Sequence, residues 1–515
     1  MICLVGFMGA GKSTALAELG AHGLHTVDAD SLIESVAGVS VSEIFETRGE
    51  AAFRELERDT VLSALANPEI DAIALGGGAV TSTSIREALT SGEHTVVWLE
   101  VSSDVAWRRV RASSRPLARD ESTFRNLFET RQPLYAGIAD AVLPAVARRI
   151  WDRALDSVRL LEKLPRGSRM FWARSANGEY PVFVGRGLLG SEVFAADSPA
   201  IPGTGRSFGF TDDSVGPLYG DRLGDLAATF SMPPGETAKT MAQLESSLRE
   251  MASAGVTRSD RMIALGGGVV GDLGGFCAAS YQRGIPVVQV PTTLVAQVDS
   301  AYGGKTGVDL PEGKNYVGAF HLPSAVITDV DALRTLPEAE LTAGMAEVIK
   351  TALLAGGTLW EDVVRLGPGE IVNRPEIVYE CARYKCEVVA GDELDKGLRA
   401  QLNLGHTVGH AIESVTAYER YRHGEAVALG LLAALRISGA ESLRNVVAGW
   451  CEQHGLPVSM DPAIDPEEVV AAVQFDKKKT ERGVGFVLME EPGHPQIDRP
   501  VDDAVIREAV KELLP

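Results

Sequence analysis

Gly6-Phe7-Met8-Gly9-Ala10-Gly11-Lys12-Ser13-Thr14, set directly behind the apolar run Ile2 to Val5, decides how the first third of this chain folds. The pattern is G-x-x-x-x-G-K-[ST] between a strand-length apolar run and a helix, which is the context a phosphate loop needs. Its glycines let backbone N–H groups wrap phosphate oxygens, and the helix opening near Lys12 turns its positive end toward the anion. In such a loop Lys12 reaches the β/γ-phosphates, Ser13 ligates Mg²⁺, and Gly9, Gly11 and Thr14 complete the nucleotide cradle.

Working outward, strand-length runs recur at Ile2 to Val5, Ala72 to Leu75 and Thr95 to Leu99, separated by helical patterns such as Val41 to Leu65. That rhythm predicts a parallel α/β sheet. A chain of 515 residues exceeds what one core supports, so further domains must follow. A helix from Ile150 to Leu164 and the segment Pro165-Arg-Gly-Ser168 make a joint, after which Tyr180-Pro-Val-Phe-Val184 opens a new strand pattern. Alternation continues through Phe208 to Thr211, Met262 to Leu265 and Pro286 to Val290, then turns mainly helical from Leu336. The expected fold class is α/β. A phosphate-loop domain with helices on both faces of a parallel sheet spans 1–165, an α/β nucleotide-binding half 170–328, and a helical half 329–515. The near-identical segments Ala74 to Val80 and Ala264 to Val270 are no duplication, because their flanks differ; triple glycine at a strand end simply lets a ligand touch bare backbone.

Charge and cysteine content exclude several classes of function. With 49 basic and 70 acidic residues the net charge is −21, and no basic stripe interrupts it. Nucleic acid and anionic membrane are excluded as main partners, so any anionic ligand must be held by local clusters. Cys3, Cys277, Cys381, Cys386 and Cys451 form no C-x-x-C pair and read as reduced thiols without disulfides. With no basic n-region, cleavable apolar segment or long apolar run, the expectation is a soluble cytoplasmic protein.

In the first domain Val27-Asp28-Ala29-Asp30 places two carboxylates at i and i+2 after a strand, so that one can serve metal and the other substrate. Ordinary helix capping before Ser31 competes with that reading. Arg54, in Ala52-Phe53-Arg54-Glu55-Leu56-Glu57, reads by itself as a solvated helix residue, and Arg108 as either a phosphate contact or a solvated face. Taken with the triple glycine at 76 to 78, Arg115-Pro116-Leu117 and Arg131-Gln132-Pro133-Leu134-Tyr135, these pieces resemble shikimate kinase over residues 1 to about 145. The resemblance implies ATP and Mg²⁺ as cofactors, with Asp28 helping to hold hydrated Mg²⁺. It implies that Asp30, Arg54, Arg131, Gly77 and Gly78 grip shikimate, that Asp30 orients or deprotonates the attacking hydroxyl, and that Arg115 in a lid joins Lys12 in stabilising the transferring phosphoryl group.

In the larger unit Gly266-Gly-Gly268-Val-Val-Gly271 satisfies G-x-G-x-x-G, yet no acidic residue falls in Ser280 to Val298, where an ordinary dinucleotide fold would place one. The run Asn403-Leu-Gly-His406-Thr-Val-Gly-His410 sets two imidazoles one turn apart, with His423 on the next element. Two or three of them can converge with Glu347 on a metal, and a pair at i, i+4 can also merely pack. Lys305, Lys314 and Lys477 sit beside glycine, asparagine or aspartate and, with Lys350 and Lys478, supply the cations a phosphate and carboxylate cage requires. With Pro234-Gly235-Glu236, Tyr281-Gln-Arg-Gly284, Pro291-Thr-Thr293 and Gln297-Val-Asp299, the set resembles 3-dehydroquinate synthase from about residue 175 to the C-terminus.

That resemblance implies NAD on Asp212, Glu236, Lys239, Gly267, Gly268, Asp272, Thr292 and Thr293, and Zn²⁺ or Co²⁺ on Glu347, His406 and His423. Substrate falls to Asp299, Lys305, Lys314, Asn315, Lys350, Arg399, Asn403 and His410, with Lys477 or Lys478. Of these, His410, Lys350 and Arg399 are the catalytic candidates, His410 moving protons. The implied reaction takes 3-deoxy-arabino-heptulosonate 7-phosphate to 3-dehydroquinate and phosphate, with a transient oxidation at NAD⁺ that is reversed within the turnover. A homodimer through the synthase part is also implied. Ala301-Tyr302 before Gly303 departs from the smaller residues usual in the family. A related sugar-phosphate cyclase and a glycerol-dehydrogenase-like oxidoreductase are the alternatives for this half; phosphate release against net NADH formation separates the latter.

Overall fold

The structure is a computed structural model and describes residues 1–111, 120–144, 151–195, 198, 201, 205–395, 397–479 and 485–515. Its contacts divide the chain into two compact units, Met1–Trp172 with Asp197–Ala200, and Ala173–Ala196 with Ile201–Pro515.

The first unit carries a parallel sheet in the order Thr26–Asp28, Ala72–Ala74, Ile2–Val5, Thr95–Glu100, Ala141–Pro144 and the start of Arg169–Arg174. Cys3 lies in register with Ile73 on one side and Val96 on the other, and all three are fully buried. Strands covered on both faces read as continuous apolar runs rather than alternating ones, which is why Ile2 to Val5 stands out in the sequence. The helix Lys12–Ala21 follows the central strand, and Ala29–Ala37 follows the edge strand. The long helix Val41–Leu65 falls where its pattern predicts, with a kink at Gly49, whose φ of 79° is left-handed.

The second unit has its own parallel order, Glu179–Gly185, Ala325–Asp329, Val287–Pro291, Arg261–Gly266, Ser207–Asp212 and Ala228–Met232. Phe208, Phe210, Met262, Leu273 and Cys277 close the core on one face. A π-helical turn at Ala296–Ser300 and the hairpin Lys305–Leu310 with Gly313–Phe320 precede the helices. Those begin at Glu338–Ala355 and continue through Pro375–Gly391, His406–Val415 and His423–Ile437. In His423–Ile437 every residue from Ala426 to Leu435 is buried, as expected of a helix that is apolar all round. The antiparallel hairpin Phe486–Met489 with Pro495–Arg499 has no counterpart in the sequence reading. All five cysteines are buried and free, and no helix among the described residues is long and apolar enough to cross a membrane.

Candidate functional sites

At the C-terminal ends of the first unit's central strands lies a cavity of about 560 Å³, lined by the phosphate loop, Asp28, Asp30, Gly76, Gly77 and Arg109. Gly9 and Gly11 take φ of 84° and 91°, a region glycine enters without a Cβ penalty. Lys12 Nζ donates to Gly6 O at 2.7 Å and Phe7 O at 3.2 Å, folded back over its own loop. Asp28 serves both readings at once. One oxygen caps the helix Ala29–Ala37 by accepting from Asp30 N–H at 3.0 Å, and the other accepts from Ser13 Oγ at 3.3 Å. Asp30 therefore sits in the first helical turn, not on a continuing strand; the two carboxylates share the pocket through the cap rather than through strand alternation.

Arg54 departs from the solvated-face expectation. Its Nη1 donates to the buried Glu57 at 2.5 Å, and a Cβ at Gly78 would fall 2.3 Å from that same nitrogen, so the guanidinium lies against bare glycine backbone. Buried Arg131 donates to Gly77 O at 3.0 Å, Tyr135 hydroxyl donates to the same oxygen at 2.5 Å, and Arg131 Nε has no hydrogen-bond partner. Burial, then the neighbouring Arg54, lowers the pKa of Arg131 and makes its charge costly without an anion. Arg109, not Arg108, reaches the phosphate loop, donating to Gly9 O at 2.9 Å; Arg108 turns back onto Asp104 O. Arg115 lies outside the described residues.

In the second unit Gly267 caps the helix Gly268–Ser280, which starts at the end of the strand Arg261–Gly266. A Cβ on Gly267 would come 2.8 Å from Thr293 Cγ2, and one on Gly268 3.0 Å from Ser300 Oγ, so both positions keep the backbone bare beside a helix N-terminus. Thr292 N–H donates to Gly266 O at 2.9 Å, and Asp212 is fixed at its strand end by the N–H groups of Ser214 and Val215 at 2.8 and 2.9 Å. Buried Lys239 pairs with Glu236 at 2.9 Å, Asp272 at 3.2 Å and Asp309 at 3.6 Å. Burial pushes Asp272 up to about 6, against the pull of Lys239.

The helices bring the metal candidates together. Glu347 Oε1 stands 3.7 Å from His406 Nε2 and 3.6 Å from His423 Nε2. The other ring nitrogens are engaged, His406 Nδ1 with Leu404 O at 3.2 Å and His423 Nδ1 with Glu413 at 3.3 Å, which assigns both Nε2 lone pairs to the centre. Ligand atoms of His406, His410 and His423 lie within 4.8 Å of one another. Glu347 is fully buried, ion-paired with Lys350, and neither of its oxygens accepts a well-aligned hydrogen bond. A buried carboxylate with open lone pairs facing two fixed imidazoles is a donor set that fits Zn²⁺ or Co²⁺. Burial opposes ionisation of Glu347, but Lys350 and the two imidazoles hold its carboxyl well below the usual range.

Around this centre the expected substrate groups separate into two kinds. Asp299, on the π turn, pairs with Lys385, and the lysine charges hold it at about 2 against burial. Arg399 is buried, donates to Glu393 O at 2.8 Å, and leaves Nη2 without a partner. Lys305, by contrast, is tied to Asp395 at 2.6 Å on the surface, and Lys314 to Glu413 at 3.5 Å. Asn403 is exposed at the end of its 3₁₀ turn, and Lys477 and Lys478 fall in the last turn of the helix Pro466–Lys479. Tyr302 fits without disturbing Asp299: its hydroxyl donates to Gln297 O at 2.8 Å and shares a bond with Thr328 at 3.0 Å.

Five further residues join these sites without a motif to announce them: Glu57, Tyr135, Asp309, Lys385 and Glu413. Only Glu57 and Tyr135 fall inside quoted stretches. Lys385 sits mid-helix beside Cys386, and Glu413 follows the histidine run by three residues, positions that look like ordinary helix composition.

The fold and the two sites define a phosphate-loop phosphotransferase joined to an α/β enzyme with a glycine-lined cofactor cradle and a glutamate–histidine metal centre. A family model described as shikimate kinase matches residues 8–158, and models for the 3-dehydroquinate synthase N-terminal and C-terminal parts match 229–343 and 344–479. The 3-dehydroquinate synthase of Symbiobacterium thermophilum is 42% identical over 353 residues, 65% of this chain and 98% of its own. The chain belongs to the 3-dehydroquinate synthase family and carries a shikimate kinase domain ahead of it; both are enzymes. Two solved structures are similar over the larger part of the chain. A 2-deoxy-scyllo-inosose synthase complexed with carbaglucose-6-phosphate, NAD⁺ and Co²⁺ is 25% identical, with TM-score 0.59 over 67% of this chain and 99% of that one. The 2-epi-5-epi-valiolone synthase of Streptomyces hygroscopicus, with NAD⁺ and Zn²⁺ bound, is 27% identical, with TM-score 0.56 over 66% and 99%.

Proposed function

We propose that residues 1–165 phosphorylate shikimate with ATP and Mg²⁺, and that the synthase, divided into 170–328 and 329–515, converts 3-deoxy-arabino-heptulosonate 7-phosphate to 3-dehydroquinate and phosphate with NAD and Zn²⁺ or Co²⁺. In the kinase, Lys12 exchanges the loop carbonyls for phosphate oxygens, while Gly9, Gly11 and Thr14 cradle the nucleotide. Ser13 and Asp28 hold Mg²⁺. Arg54, Arg131, Gly77 and Gly78 fix the carboxylate and hydroxyls, Asp30 orients the attacking hydroxyl, and Arg115 meets the transferring charge.

In the synthase, bound NAD⁺ and metal ion supply a hydride acceptor and a Lewis acid. Asp212, Glu236, Lys239, Gly267, Gly268, Asp272, Thr292 and Thr293 hold the cofactor, and Glu347, His406 and His423 the metal. Asp299, Lys305, Lys314, Asn315, Lys350, Arg399, Asn403 and His410, with Lys477 or Lys478, hold the substrate, the cationic groups meeting its phosphate and carboxylate. His410 moves the proton at the substrate hydroxyl. Lys385, paired with Asp299, joins them. The protein is cytoplasmic, in keeping with five buried, free cysteines, and dimerises through the synthase part.

The convergence of Glu347 Oε1 with two imidazole nitrogens at 3.6 and 3.7 Å carries this reading. His406→Ala should lower bound zinc and phosphate release together by about 10²-fold while shikimate phosphorylation stays within about twofold. Unchanged metal content with a lowered melting temperature would instead make His406 a packing residue.

A further inference from the structure

Asp309 belongs to the hairpin that carries Lys314 and Asn315, yet it is built into the cofactor cradle. Its backbone N–H donates to Lys239 O at 2.8 Å, and a parallel bridge joins Thr240 to Asp309. Its Oδ1 accepts from Asn315 N–H at 2.7 Å and lies 3.6 Å from Lys239 Nζ. One carboxylate oxygen thus faces a cofactor lysine on one side and a substrate asparagine on the other.

Two features make that contact consequential. Asn315 holds φ of 56°, a left-handed conformation that asparagine enters more readily than most residues. The Asp309 bond holds its N–H in that conformation. Lys239, for its part, is shared among Glu236, Asp272 and Asp309, three carboxylates to one ammonium. A cofactor that engages Lys239, Glu236 or Asp272 must change what remains for Asp309, and so the grip on Asn315.

We propose that Asp309 is a positioning residue that couples the two halves of the site, so that NAD⁺ and the sugar phosphate each tighten the other's binding. The proposal rests on the ligand assignments above. Coupling of this kind is reciprocal, and about five- to tenfold is the size a single shared contact supports.

The test is calorimetric titration of NAD⁺ into the zinc-loaded full chain, with and without a carbocyclic analogue of the heptulosonate phosphate that cannot open its ring. In the wild type the analogue should tighten NAD⁺ about five- to tenfold, and NAD⁺ the analogue by the same factor. Asp309→Asn keeps an acceptor for Asn315 but loses the charge opposite Lys239. It should bind the analogue within about twofold of wild type with coupling below about twofold. Asp309→Ala should weaken the analogue about tenfold and show no coupling. Wild-type coupling in Asp309→Ala, or none in a wild type that binds both ligands, overturns the proposal alone. A wild type that binds no NAD⁺ overturns the ligand assignments and the proposal with them.

Discussion

The kinase pocket and the synthase centre solve the same problem, holding an anionic substrate in an acidic protein, by opposite means. The first meets charge with main-chain N–H groups of one contiguous loop, Gly6 to Thr14, and leaves Lys12 resting on its own carbonyls. The second gathers Asp299, Glu347, Lys350, Lys385, Arg399 and the histidines from several elements and sets carboxylates against lysines, Glu347 with Lys350 wholly buried and Asp299 with Lys385 partly so. A site made of backbone can lose one side chain and remain folded. A site made of buried charges ties each side chain's chemistry to stability, because removing one partner strands the other.

The sharpest separation comes from Lys12→Ala. Shikimate phosphorylation should fall about 10²- to 10³-fold with the melting profile unchanged, and phosphate release should stay within about twofold. A parallel fall in both activities would erase the contrast. On the other side, Lys385→Ala should lower synthase activity about 10²-fold and also cost about 2–3 kcal/mol of stability, since the half-buried Asp299 loses its charged partner. Adding Asp299→Asn should restore most of that stability and none of the activity; denaturant titration with turnover assays checks both halves.

Asp272 extends the contrast to pH. Its pKa rises from 3.8 to about 6 on folding through burial. The folded state therefore holds the proton more tightly, and this contribution to stability is present below about pH 4 and lost as pH climbs through about 6. Relative to Asp272→Asn, the wild type should be stabilised by up to about 3 kcal/mol more at pH 4 than at pH 7. Unfolding of both proteins at the two pH values measures it; a pH-independent difference removes the buried-charge account of this residue. The smallest effect is Tyr135→Phe. It removes one of two bonds on Gly77 O, and should raise the KM for shikimate about three- to tenfold without moving that for ATP.

Legibility followed the same division. The phosphate loop, the Asp28 and Asp30 pair and the triple glycine were readable because their chemistry needs particular residues at fixed short spacings. The histidines at 406 and 410 were readable for the same reason, being one helical turn apart. Lys385 and Glu413 were not, since a buried lysine or glutamate mid-helix has the same local sequence as a solvated one, and only its counter-charge from another element reveals it. Arg54 was placed only through the family resemblance, and Arg109 was passed over for Arg108: nothing near them in sequence shows the glycine backbone each lies against. The late hairpin Phe486–Met489 with Pro495–Arg499 was lost because two short strands beside long helices carry too little period-two signal.

The central claim, two independent sites built on different principles in one chain, is tested most directly by stripping the wild-type protein with a zinc-selective chelator and assaying both reactions in the same magnesium-containing sample. Phosphate release from the heptulosonate phosphate should vanish with the bound metal and return on adding Zn²⁺ or Co²⁺, while shikimate phosphorylation holds its full rate throughout. Full synthase turnover in the metal-free protein, or a kinase rate that falls and recovers in step with the synthase, would contradict it.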